Sequence, residues 1–154
     1  MVDYNQIIKK LNLQPLSVEG GYFNKIITLK DNDNIQLGSC IYYLITETSF
    51  SSLHKVLKDE IWYFLEGDPL IQIQFCEESN CYNEIEVGKV SDDFKAISLV
   101  KKDVWQATKL KDGGSWALVA TTVIPGFGEN DFKTYDDLIL EKLTNFCDVK
   151  KFIY

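Results

Sequence analysis

Between Tyr22 and Val123 the chain runs in short segments rich in Ile, Val, Tyr, Phe, Trp and Thr. Turn chemistry closes each segment within about eight to twelve residues. Asp31-Asn32-Asp33-Asn34, Glu66-Gly67-Asp68-Pro69, Glu77-Glu78-Ser79-Asn80, Lys111-Asp112-Gly113-Gly114 and Pro125-Gly126 are turn sequences by their side-chain caps and backbone freedom. This rhythm excludes a helical bundle and a parallel α/β sheet, and predicts an all-β antiparallel sandwich or barrel. Strands are expected over 22–29, 38–46, 51–56, 60–65, 70–76, 82–87, 96–100, 104–109 and 115–123.

Two flanking segments have helical spacing instead. Ile7, Ile8 and Leu11 share a face within 5–13, and Tyr135, Leu138, Ile139 and Leu143 form a stripe after Pro125. Strand 70–76 alternates Ile71, Ile73 and Phe75 with Gln72 and Gln74, which predicts one wet face. Ile41 to Ile45 and Ile61 to Leu65 are apolar on both faces, so each needs covering twice, by the core and by a sheet, helix or second subunit. A homodimer is therefore expected. No repeat, low-complexity tract or linker divides the 154 residues, so one domain spanning 1–154 is the simplest organisation.

Composition narrows the chemistry. A formal net charge of −7 disfavours nucleic-acid phosphates and anionic membranes as partners. The chain has a single histidine, His54, which removes mechanisms requiring two imidazoles. Cys40, Cys76, Cys81 and Cys147 lack the spacing of zinc or redox motifs. No apolar run reaches membrane-spanning length, and residues 1–6 lack the pattern of a signal peptide, so a reduced, cytoplasmic protein is expected. Cys76 and Cys81 flank a turn and could pair on oxidation.

The stretch from Ser51 to Leu70 contains His54, then Glu60, then Gly67, and it resembles the first motif of a cupin. Four blocks in order extend that resemblance over nearly the whole chain: Glu19-Gly20-Gly21-Tyr22, His54-Lys55 with Asp59-Glu60-Ile61-Trp62-Tyr63-Phe64, Val104-Trp105-Gln106-Ala107, and Pro125-Gly126-Phe127 with Asp131-Phe132. The agreement is with the cupin subfamily grouped as domain of unknown function 985. It implies a double-stranded β-helix, or jelly roll, with short terminal helices. The same comparison places Val56 at the second cupin histidine and Gln106 at the last, so no metal ligand set and no cofactor are expected.

What the resemblance implies about function is a small-molecule pocket inside the barrel. Related sugar-nucleotide epimerases use a histidine with a carboxylate as base and a tyrosine as acid, roles assignable here to His54, Glu60 and either Tyr63 or Tyr43. His54 and Glu60 share side-chain parity across what reads as a short hairpin, so both can point inward. Glu19, Tyr22, Tyr43, Trp62, Trp105, Gln106 and Phe127 are the candidate ligand-binding residues. Each has a structural alternative: a satisfied polar pair for His54 and Glu60, core packing for the aromatics, and a tight turn for the double glycine. The competing function is a non-catalytic structural or storage-type β-barrel dimer.

Overall fold

The computed structural model describes residues 3–154. Helix α1 (Tyr4–Leu11) starts at Asp3, whose carboxylate accepts from the Asn5 amide, and stops at Asn12 in the left-handed conformation. Eleven strands follow: β1 (Gln14–Pro15), β2 (Tyr22–Lys30), β3 (Gln36–Thr46), β4 (Ser51–Val56), β5 (Asp59–Gly67), β6 (Leu70–Cys76), β7 (Cys81–Val87), β8 (Ile97–Val100), β9 (Trp105–Leu110), β10 (Trp116–Ile124) and β11 (Phe132–Thr134). Helix α2 (Asp137–Leu143) follows β11. The strands form two antiparallel sheets, β1-β2-β3-β10-β5-β8 and β11-β4-β9-β6-β7, stacked as a double-stranded β-helix.

Three apolar clusters hold the sheets. Tyr43, Ile45, Trp62, Leu70, Val87, Val100, Ala117 and Val119 fill the space between them. Leu44, Trp116 and Leu118 on the outer face of the first sheet are covered by Ile7 of α1 and by Leu13. Leu53, Ile73, Phe75, Trp105 and Ala107 on the outer face of the second sheet are covered by Ile139 and Leu143 of α2 and by Val149 and Phe152 beyond it.

The second cover reverses the expected sense of strand β6. Gln72 is fully buried between the sheets, where its amide donates to Thr108 Oγ1 (3.1 Å) and its carbonyl accepts from Ser98 Oγ (2.5 Å) and Gln74 Nε2 (2.9 Å). The glutamines face the interior because the C-terminal segment supplies Ile73 and Phe75 with a second core. Buried amides are tolerated there because each finds partners.

A further correction concerns β4 and β5. Only Leu57 and Lys58 separate them, yet they do not form a hairpin. Strand β4 pairs with β9 and β11, whereas β5 pairs with β10 and β8. The chain crosses from one sheet to the other at that turn. Cys76 and Cys81 are register partners at the end of the β6–β7 hairpin, and both are free thiols.

Candidate active site

His54 is 2% exposed and projects from β4 into the space between the sheets. Its Nδ1 lies 2.7 Å from the Ser52 carbonyl oxygen, which can only accept, so in the neutral ring the proton belongs on Nδ1 and the lone pair on Nε2. The ring is held on one side by Phe132 of β11, stacked at 5.0 Å between centroids and 13° between planes.

Glu60 projects inward from the opposite sheet. Its Oε2 accepts from Gln106 Nε2 at 2.7 Å. Burial pushes its carboxyl above the ordinary carboxylate range and the Glu19 charge adds to this, while His54, Gln106 and Thr121 oppose it.

Glu19 arrives from the loop before β2. Its Oε1 accepts from Ser51 Oγ at 2.5 Å, and its Oε2 stands 3.8 Å from His54 Nε2. Two glycines make this placement possible. Gly20 has φ +104°, and a Cβ there would fall 2.1 Å from the Phe50 carbonyl oxygen; Gly21 has φ +69° against the Tyr43 ring. The double glycine is therefore both a tight turn and the support of a site carboxylate.

His54, Glu60 and Glu19 open onto a cavity of about 810 Å³. Its apolar walls include Leu16, Ile41, Val56, Val123, Phe127 and Phe132, with Ser39 and Thr121 adding hydroxyls. The wall after β10 is pinned in place: Lys58 Nζ donates to the Gly126 carbonyl (2.7 Å) and pairs with Asp131 (2.8 Å), whose carboxylate also accepts from the Gly128 amide (2.7 Å). Burial raises the Asp131 carboxyl, but Lys58 and that amide outweigh it and hold it below the usual value.

Of the ten sequence-predicted site residues, His54, Glu60, Glu19 and Phe127 line this cavity. Gln106 stands behind Glu60 as its hydrogen-bond donor. Tyr43 lies behind Glu19, its hydroxyl donating to the Gly20 carbonyl at 2.7 Å and its ring edge-on to Trp62. Burial, then the Glu19 charge, raises the Tyr43 phenol well above its ordinary value.

The remaining aromatics lie elsewhere, for reasons of strand parity. Trp62 is buried in the inter-sheet core. Trp105, next to inward-facing Gln106, faces outward beneath the C-terminal segment and donates from Nε1 to Glu77 (2.8 Å), which also takes Lys142 of α2. Tyr63 is half-buried on the strand position after Trp62, opposite Ile97 on β8, and does not reach the cavity. Tyr22 packs against the α1 cluster. Ile41, Thr121, Val123 and Phe132 were not singled out from the sequence. The inward parity of Tyr43 and Val119 points to the first three, and Phe132 closes the last sequence block.

A cupin metal does not fit these residues. Val56 offers no donor atom, and the amide nitrogen of Gln106 is committed to Glu60, leaving one imidazole where the motif has several.

With this geometry established, comparison with known proteins decides the family: residues 5–135 match the family model described as cupin superfamily, DUF985. The chain belongs to that family of cupins. The cupin is similar over 100% of its length to 99% of a protein from Shewanella oneidensis, at 25% identity and a TM-score of 0.87. It is similar over 99% of both chains to a hypothetical protein from Leishmania major, at 25% identity and a TM-score of 0.85. Oxalate decarboxylase from Bacillus subtilis shares the fold at 15% identity and a TM-score of 0.60, over 86% of this cupin and 34% of that chain. No curated protein matches the sequence. Among the described residues no helix is long and apolar enough to cross a membrane.

Proposed function

We propose that this cupin binds a small molecule in the cavity between its sheets and moves a proton on it without a metal, as an isomerase or epimerase does. The observation that carries this reading is the fixed imidazole: with Nδ1–H donated to Ser52, the basic Nε2 is aimed into an apolar cavity beside two carboxyl groups. In this reading His54 Nε2 takes the proton from a carbon next to a carbonyl, and the bonding pair moves onto the carbonyl oxygen. Glu60, on the facing sheet and disposed by burial to keep a proton, returns one to the other side of that carbon. Solvent exchange then resets both groups. The acid is thus Glu60 rather than Tyr63 or Tyr43, neither of which lines the cavity.

The test is solvent deuterium incorporation into a panel of small α-CH carbonyl compounds, read by mass spectrometry. Exchange that falls about 100-fold in His54→Gln while the fold persists is the expected result, the usual share of a general base. No exchange with any compound, or exchange indifferent to His54, would sink the reading.

One observation favours the dimer that the alternative, non-catalytic reading also invokes. On β5 and β8 the first sheet carries Leu65, Ile97 and Leu99 at 46%, 60% and 43% exposure, an apolar face that α1 does not reach. A second copy burying this face accounts for it. Sedimentation showing only a 17.7 kDa particle at micromolar concentration would reject the dimer.

A further inference from the structure

The polar end of the cavity contains no fixed cation. It is built from two carboxyl groups and one imidazole, so its charge is negative or zero in every state but the one in which all three groups are protonated. Lys58 is turned away to Asp131 and the Gly126 carbonyl, and Lys25, the one lysine on the cavity wall, is exposed. The neighbouring hydroxyl of Ser51 is already donated to Glu19, and Gln106 Nε2 to Glu60. An entering anion would lose its hydration and meet mainly acceptors. A second feature is independent of this charge count. His54 is 2% exposed and its Nε2, facing the cavity, has no hydrogen-bond partner among the described residues, the Glu19 oxygen at 3.8 Å lying beyond hydrogen-bond reach. A ring nitrogen that a buried side chain holds in one orientation toward the cavity, without a protein partner, is open to a bound group.

We infer that the site selects its ligand by charge, taking an apolar body that carries a primary ammonium and rejecting carboxylates and phosphates of the same size. This rests on the reading that the cavity is a ligand site. An ammonium has three donors and no acceptor. Glu19 receives one N–H from the β2 side, Thr121 receives another from the first sheet, and the third completes His54 Nε2. The apolar body lies along Leu16, Ile41, Val123 and Phe127.

The experiment uses three probes with one body: cyclohexylmethylamine, cyclohexylmethanol and cyclohexanecarboxylate. Each is titrated into the full chain and followed by calorimetry and by the ring resonances of His54, which are unambiguous because the chain has no other histidine. The amine should bind at least about tenfold more tightly than the alcohol, and the carboxylate more weakly than either. Glu19→Gln retains an acceptor for Ser51 and should cut the ratio of amine to alcohol affinity about tenfold. A carboxylate that binds as tightly as the amine overturns charge selection and leaves the pocket reading intact. So does an amine advantage that survives Glu19→Gln. If none of the three probes moves the His54 resonances, both the charge selection and the pocket reading fail.

Discussion

Phe132 lies flat against the imidazole of His54, 5.0 Å away, and the two reach that position from strands paired edge to edge, β11 and β4. The stack and the Ser52 carbonyl together leave the ring one orientation.

Replacing Phe132 with leucine keeps apolar volume and removes the aromatic face. The His54 carbon-bound protons should move downfield as the ring current disappears, and the melting temperature should drop by about 3–6 °C, a cost of roughly 1.5 kcal/mol at this chain length. Unchanged His54 shifts in the variant would show that the stack does not hold in solution.

Glu60 gives a pH-dependent test. Its folded-state value is raised, so its favourable contribution is complete below the ordinary carboxylate value and is lost as pH rises through the higher folded value. Glu60→Gln preserves the acceptor for Gln106 and cannot ionise. The variant should melt about 2–4 °C above the wild type at pH 8, roughly 1 kcal/mol, and match it near pH 4. Equal melting points at both pH values would show that Glu60 is not disfavoured by its surroundings.

The strand rhythm made most of the architecture legible. Strands β4 and β6 fall on the expected residues, and the other seven expected strands agree within two residues at each end. Two short edge strands escaped: β1 has two residues and β11 three, too few to display alternation. Period-two patterning divides a strand into two faces but does not say which is interior when both are covered. Hence Gln72 and Gln74, expected in water, lie inside, and Trp105, expected in the pocket, lies under the C-terminal segment. Motif spacing pointed to His54 and Glu60, and the Glu19-Gly20-Gly21-Tyr22 block offered Glu19 as a carboxylate at the pocket mouth; the three line one cavity. Motif spacing could not show that β4 and β5 belong to facing sheets, because two residues between strands usually mean a hairpin.

The loop holding Glu19 has no room for a side chain at Gly20. Gly20→Ala combines a left-handed φ with a Cβ against the Phe50 carbonyl and the Tyr154 hydroxyl, and should cost about 2–3 kcal/mol. Chemical denaturation measures the loss. A variant within about 0.5 kcal/mol of wild type would mean that the loop is not held as described.

Metal affinity should be creatable at the two positions where the cupin motif has histidine and this chain has Val56 and Gln106. Val56 lines the cavity two residues beyond His54, and Gln106 is the direct register partner of His54 on β9. The double variant Val56→His with Gln106→His should retain one nickel or zinc per chain after dialysis, whereas the wild type should not. Elemental analysis finding one metal per wild-type chain, or none in the double variant, would contradict this.

The network of Gln72, Gln74, Ser98 and Thr108, with the apolar cluster around Trp62, fills the barrel away from His54. The interior is therefore a cup with a floor, and the cavity of about 810 Å³ is the part of the barrel that this network leaves unfilled. Deepening the cup would mean cutting through amides that satisfy one another, and every one removed would leave another stranded. The size of molecule this scaffold can accommodate is thus bounded at its base by hydrogen bonds, and at its rim by the short segment that Lys58 ties down.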